Sequence, residues 1–327
     1  MTSSIHCFIE PTTSKIALRF WTANVEDAQK RYQIIDTYLK KKKLPYFVGF
    51  NFHVDELRWN NEKYPFISME WVEGYTLGKY IEKNINKSSK ILQVADSFLD
   101  MVKELHQHDI AHGDLQDGNI LVIENGNDIV LKLIDYDSVF VPGLESYSLE
   151  IIGVEAYQHP NKKDCKTMDK TIDYFSELVI YLSLLAYAED STLWKSGQDQ
   201  QLLFDTKDFK DTYNSTIISQ LKTHYSPVVQ ELTNKLVQFC EEDNISNLVP
   251  LEDRIKNEFN DILDFISNIK SKVEIPYKQV VDDGIEEDLD KVKRIFGSIS
   301  KGNLEVQSID SNVFDTQFSE ALNNMRG

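Results

Sequence analysis

No glycine occurs before Gly49. A backbone loop that wraps closely around a phosphate needs glycines, so a glycine-rich cradle is excluded from that opening stretch. Cysteine is equally scarce. Cys7, Cys165 and Cys240 are too scattered for a metal-binding spacing and too few for an even disulfide framework. A reducing cytoplasm is the home this composition suggests. Positive charge is in deficit: 35 Lys and Arg stand against 53 Asp and Glu, a net charge of −18. That balance argues against a nonspecific nucleic-acid groove. Long apolar runs are missing too. The longest, Leu178 to Ala188, falls short of the roughly 20 residues a membrane-spanning helix needs. The opening Met1-Thr2-Ser3-Ser4-Ile5-His6-Cys7 has neither the basic region nor the apolar core of a secretory leader.

What is present is enough apolar residue for a real core, 41% of 327 residues, which suits one large domain or two lobes. The most informative stretch is His112-Gly113-Asp114-Leu115-Gln116-Asp117-Gly118-Asn119-Ile120-Leu121, followed by Leu131-Lys132-Leu133-Ile134-Asp135-Tyr136-Asp137. Two short apolar strands, 120–123 and 129–134, flank Glu124-Asn125-Gly126-Asn127-Asp128. Asn-Gly supplies positive φ, so the spacer reads as a hairpin turn. Such a hairpin brings Asp114, Asn119 and Asp135 into one small volume. Two carboxylates and an amide oxygen are hard oxygen ligands of the kind that hold Mg²⁺ together with substrate phosphates.

H-G-D-L-Q-D-G-N followed by D-Y-D resembles the H-x-D-x-x-x-x-N and D-F-G signature of the protein-kinase-like phosphotransferases. The resemblance implies an α+β, bilobal protein-kinase-like fold with a reduced small-lobe sheet and a mainly helical large lobe. It implies that Asp114 accepts or orients the acceptor hydroxyl, and that Asn119 and Asp135 hold the Mg²⁺ bridging the phosphates of ATP. Lys15-Ile16-Ala17-Leu18-Arg19-Phe20-Trp21 matches the strand written V-A-I-K, with Arg19 where the family's phosphate-gripping lysine stands. Met69-Glu70-Trp71-Val72-Glu73-Gly74 is similar to the hinge, so Glu70 and Val72 are expected against the adenine. Gln116 is expected on the phosphate side, where protein kinases carry a lysine.

Strands are expected over 4–10, 15–21, 46–55 and 66–71. A helix is expected from the cap Asn24, with Glu26 and Asp27 in its first turn, ending in Lys40 to Lys43. No glutamate lies between Asp27 and Asp55, so the partner of the strand cation is left between Glu26 and Asp36. The family's glycine loop and first strand are missing from this stretch; Ser3-Ser4 stands about where the loop belongs, and the loop is either lost or lies upstream. A second helix is expected over 89–106 from the spacing of Ile91, Ala95, Phe98, Val102 and Leu105, with His106 and His108 as caps at its end rather than ligands and His112 as a packed structural histidine. Segment 138–160 corresponds to the activation loop, closing on Tyr157-Gln158-His159-Pro160. Asp173-Tyr174-Phe175-Ser176 is similar to the D-x-W-S run that opens the central buried helix, with Asp173 as anchor of the catalytic loop. Val228, Val229, Leu232, Leu236 and Cys240 form one apolar helix face.

The division read from these motifs is a reduced small lobe over 1–72, a large lobe over 73–272, and an acidic, partly flexible tail over 273–327. The implied function is an ATP/Mg²⁺-dependent serine/threonine protein kinase. A pseudokinase scaffold or nucleotide-binding module and a small-molecule kinase of the aminoglycoside or choline type are the alternatives. Arg19, Gln116 and the absent glycines weaken positioning of the phosphates; the intact Asp114, Asn119 and Asp135 favour activity. The elements together look most like bacterial kinase-like proteins linked to a metal-dependent phosphatase and a von Willebrand A-type partner. A protein substrate is implied, with neither nucleic acid nor membrane.

Overall fold

The computed structural model describes residues 3–9, 15–21, 27–59, 62–126, 128–149, 152–165, 167–195 and 201–253. The chain divides into two units, 1–272 and 273–327; the second, which carries the acidic tail, lies outside the described residues. Within the first unit, strands β1 (Ser3–Ile9) and β2 (Lys15–Trp21) are followed by helix α1 (Ala28–Lys42) and strands β3 (Phe50–Trp59) and β4 (Glu62–Glu70). These strands make an antiparallel sheet in the order β1-β2-β4-β3. Ser3 and Ser4 lie in strand β1, paired to Trp21 and Phe20, rather than in a loop. On β2 the pleat puts Ala17 and Arg19 on one face, where both are buried, while Ile16, Leu18 and Phe20 on the other face are only half-buried.

Helix α1 begins at Ala28, later than the sequence suggests. Asp27 precedes it in a left-handed conformation with φ 62°, and its first turn holds no acid; Asn24 and Glu26 lie outside the described residues. Ala28, Tyr32, Ile35 and Leu39 turn one face inward, the three- and four-residue spacing of an amphipathic helix. The Tyr32 ring meets Phe50 edge-on at 5.5 Å. Strands β3 and β4 run longer than their apolar centres, through Arg58–Lys63 and Trp59–Glu62 pairs. Their outer ends mix charged residues (Glu56, Arg58, Glu62, Lys63) with Leu57, Trp59 and Tyr64 and end on either side of Asn60-Asn61.

After β4 come β5 (Tyr75–Thr76), α2 (Leu77–Asn84) and α3 (Ser88–Gln107). Strands β6 (Ile120–Asn125) and β7 (Asp128–Leu133) pair as the expected hairpin, with Asn125 opposite Asp128 and Gly126 in the turn at φ 64°. Helix α4 (Tyr174–Glu189) is buried nearly all round, as its unbroken apolar run demands. It packs against α3, whose Ile91, Val94, Ala95, Phe98, Met101 and Val102 are fully enclosed. Helices α5 (Thr206–Lys210), α6 (Thr216–Lys222) and α7 (Pro227–Glu241) follow. On α7 the buried face is Val229, Leu232, Thr233, Leu236 and Phe239; Val228 is 42% exposed, one position off that stripe.

His108 caps the end of α3, and His106 in its last turn also bridges elements: its Nε2 bonds Glu177 on α4 at 2.9 Å and its Nδ1 bonds Glu252 at 2.9 Å. Among the described residues no helix is long and apolar enough to cross a membrane.

Candidate active site

The catalytic-loop segment is held from below. Asp173, just ahead of α4, accepts the backbone N–H of His112 and that of Gly113 at 2.9 Å. His112 is fully buried, and its Nε2 contacts the Ile134 carbonyl at 2.9 Å, the structural role expected of it. Gly113 has φ 79°, and a Cβ there would lie 2.1 Å from the Ser138 carbonyl oxygen. Only glycine fits that position.

The hairpin then delivers the three candidate groups. The Ile134 N–H donates to the Asn119 carbonyl at 3.0 Å, so Asp135 emerges beside Asn119. The Asn119 Nδ2 donates to the Asp114 carbonyl at 2.8 Å and approaches its Oδ2 at 3.4 Å. A carbonyl oxygen only accepts, which fixes the amide and leaves Asn119 Oδ1 as a free acceptor among the described residues. Asp114 is steadied on both oxygens, Oδ1 by the Val154 N–H at 3.2 Å and Oδ2 by Gln116 Nε2 at 3.3 Å. Gln116 thus lies beside the carboxylate and brings no charge. Asp135 occupies the left-handed region, φ 70° and ψ 81°, a costly conformation for a non-glycine residue that collects at functional sites.

Arg19 reaches this site from β2 and is only 4% exposed. Its guanidinium forks between two carboxylates: Nη1 binds Asp135 Oδ1 and Nη2 binds Asp137 Oδ2, the latter at 2.5 Å. Burial works against its charge, but Asp135 and Asp137 outweigh it and hold its pKa above the ordinary arginine value. The planar fork suits two acceptors where an ammonium would serve as a point charge. Asp137 also accepts the Tyr32 hydroxyl from α1, and Arg31 donates to its backbone oxygen at 2.7 Å. Burial pushes the Asp137 pKa up against the pull of Arg19, with Asp135 adding to the rise.

Asp36 is not the counter-ion: it pairs with Lys40 at 2.7 Å on the same exposed helix face. Asp137, Tyr32 and Arg31 are the residues that sequence reasoning passed over. The signal was present in D-Y-D, an acid where the family carries glycine, together with the missing helix glutamate. Tyr136, between the two acids, is buried and receives the Val48 N–H at 2.6 Å, tying this segment to the approach to β3.

At the other edge, the Glu70 N–H donates to the Gly49 carbonyl at 3.2 Å and the Trp71 N–H to that of Lys15 at 3.3 Å. Val72 follows in an extended link, and its backbone makes no hydrogen bond among the described residues. No group of three or more His, Cys, Asp or Glu residues among those described forms a metal site alone. Two oxygen ligands that complete their shell with phosphates and water fit Mg²⁺.

The chain matches the family described as "Protein kinase domain" over residues 13–259. Among curated proteins it is 29% identical over 128 residues to the inhibitor of nuclear factor kappa-B kinase subunit alpha of Gallus gallus, covering 37% of this chain and 17% of that one. It is 24% identical over 158 residues to the serine/threonine-protein kinase dkf-2 of Caenorhabditis briggsae, covering 46% and 13%. It is 29% identical over 132 residues to the probable serine/threonine-protein kinase PknB of Bifidobacterium longum (strain NCC 2705), covering 38% and 18%. The match spans less than a fifth of each relative's own length. With an α+β architecture and the family matched over residues 13–259 of its 327, the chain belongs to the protein kinase domain family.

Proposed function

We propose that the chain is an ATP- and Mg²⁺-dependent phosphotransferase acting on serine or threonine hydroxyls of a protein. The observation that carries this reading is the convergence of Asp114, Asn119 and Asp135 at the root of one hairpin, under a buried cation from β2. Asn119 Oδ1 and the Asp135 carboxylate are the groups that would hold Mg²⁺, whose chemistry there is to neutralise charge on the phosphates. Asp114 orients the acceptor hydroxyl and takes its proton, with Val154, Gln116 and Asn119 fixing the carboxylate in place. Arg19 is the cation for the phosphates and Asp137 is its standing counter-ion, the part a helix glutamate plays elsewhere in the family. The backbone of Val72, two positions after Glu70 and without a hydrogen bond among the described residues, supports a place for the adenine edge. The lobe division at residue 72, the cytoplasmic setting, and association with a phosphatase or a von Willebrand A-type partner belong to the same reading on resemblance alone.

One observation favours a second reading, a nucleotide-binding module without transfer. Arg19 already holds one oxygen of Asp135 and so competes with a metal for that carboxylate. ATP titration with and without Mg²⁺ tests the assignment. Mg²⁺ is expected to tighten ATP binding by the unaltered chain and to have no effect on Asp135→Ala. Equal Mg²⁺ dependence in both would contradict it.

A further inference from the structure

Lys162 is 1% exposed. A lysine that deep needs partners for its charge. Its ammonium donates to the Gly113 carbonyl at 2.6 Å and to Gln158 Oε1 at 2.5 Å. An ammonium only donates, so Gln158 presents its oxygen to Lys162 and turns its Nε2 away. That nitrogen is buried and has no hydrogen-bond partner among the described residues. A Cβ placed on Gly153 would lie 2.4 Å from Asp114 Oδ1 and 2.9 Å from Gln158 Nε2. The unpaired amide and the Asp114 carboxylate therefore face the same narrow gap over Gly153, where φ is 87°. Asp114 has the lysine behind its main chain and the glutamine beside its side chain.

We propose that Lys162 and Gln158 are positioning residues for Asp114, Lys162 supplying from inside the loop the positive charge that Gln116 does not supply in front of it. This role rests on the phosphotransfer reading above. Three titratable groups act on the ammonium: Asp114 in the catalytic loop, Asp173 at the start of α4, and Cys165 in the turn Lys162 itself opens. Burial draws the Lys162 pKa down to about 8 against the pull of Asp173 and Asp114. The charge is present at neutral pH and is lost as the pH rises through that value.

The test measures phosphate transfer to the chain itself and to casein, for the unaltered protein and for Lys162→Met, Lys162→Arg and Gln158→Leu, with a thermal melt of each. Losing a charge-assisted hydrogen bond is worth about a tenfold to hundredfold fall in kcat, expected in Lys162→Met and Gln158→Leu with KM for ATP changed by less than about twofold. Lys162→Arg should restore most of kcat and move the alkaline fall in rate to higher pH. If Lys162→Met does not fold, Gln158→Leu and the alkaline limb of Lys162→Arg decide. Unchanged kcat in Gln158→Leu with an unmoved alkaline limb would overturn the proposal and leave the phosphotransfer reading standing. Failure of the unaltered, ATP-bound protein to transfer phosphate would overturn both.

Discussion

Arg19 carries two demands at once. On an ordinary strand end an arginine would lie in solvent; here it is buried and divided between Asp135 and Asp137. Removing it strands two carboxylates, and breaking a buried ion pair costs about 3–5 kcal/mol. Arg19→Ala should therefore lose stability of that order in urea unfolding, and Arg19→Glu should abolish ATP binding; unchanged ATP affinity in Arg19→Glu would contradict its assignment to the phosphates. Gly113 offers a sharper case, since a Cβ there meets the Ser138 carbonyl oxygen at 2.1 Å in a left-handed backbone. Gly113→Ala should destabilise by about 2–3 kcal/mol; a melt within a degree of the unaltered protein would contradict the close approach. The juxtaposition of Asp114, Asn119 and Asp135 was legible because their spacing carries the hairpin with it. Asp137 was not, because its partners sit in β2 and α1, far away in sequence. Lys162 and Gln158 were hidden for the same reason: nothing local announces a lysine that is enclosed.

The elements tell a parallel story. The hairpin β6–β7, helix α3 and helix α4 were readable from turn chemistry and apolar period, and lie within a few residues of where the pattern places them. The start of α1 and the outer halves of β3 and β4 were not, because Asp27 takes a left-handed turn before α1 and the strand pairing of 57–59 with 62–64 runs past the apolar centres of β3 and β4. The Asp173 carboxylate shows what an element start can do besides capping: it makes no bond to its own helix and instead takes two N–H groups of the catalytic loop. Asp173→Ala orphans both donors at about 1–3 kcal/mol each. Its urea midpoint should fall accordingly, and kcat should fall with it; full activity in a destabilised Asp173→Ala would show that the loop holds its shape unaided.

Across the molecule, His106 joins α3 to α4 and to Glu252 in the helical residues 251–253. Burial opposes its charge, yet Glu177 and Glu252 prevail and raise its pKa from 6.5 to about 10. A histidine whose native pKa exceeds its unfolded one stabilises fully below the unfolded value and loses that contribution as the pH rises through the native one. The stability gap between the unaltered protein and His106→Gln should narrow as the pH rises toward 10; a gap constant over that range would contradict the bridge. We propose that this kinase-family chain transfers phosphate through Asp114 and Asp135. The most direct test of this proposal is label transfer from γ-phosphate-labelled ATP, with Mg²⁺ and with Mn²⁺, comparing the unaltered chain with Asp114→Ala and Asp135→Ala. The account predicts transfer by the unaltered chain, lost in both variants while both still melt cooperatively. Transfer undiminished in Asp114→Ala, or no transfer by an unaltered chain that binds ATP, would contradict it.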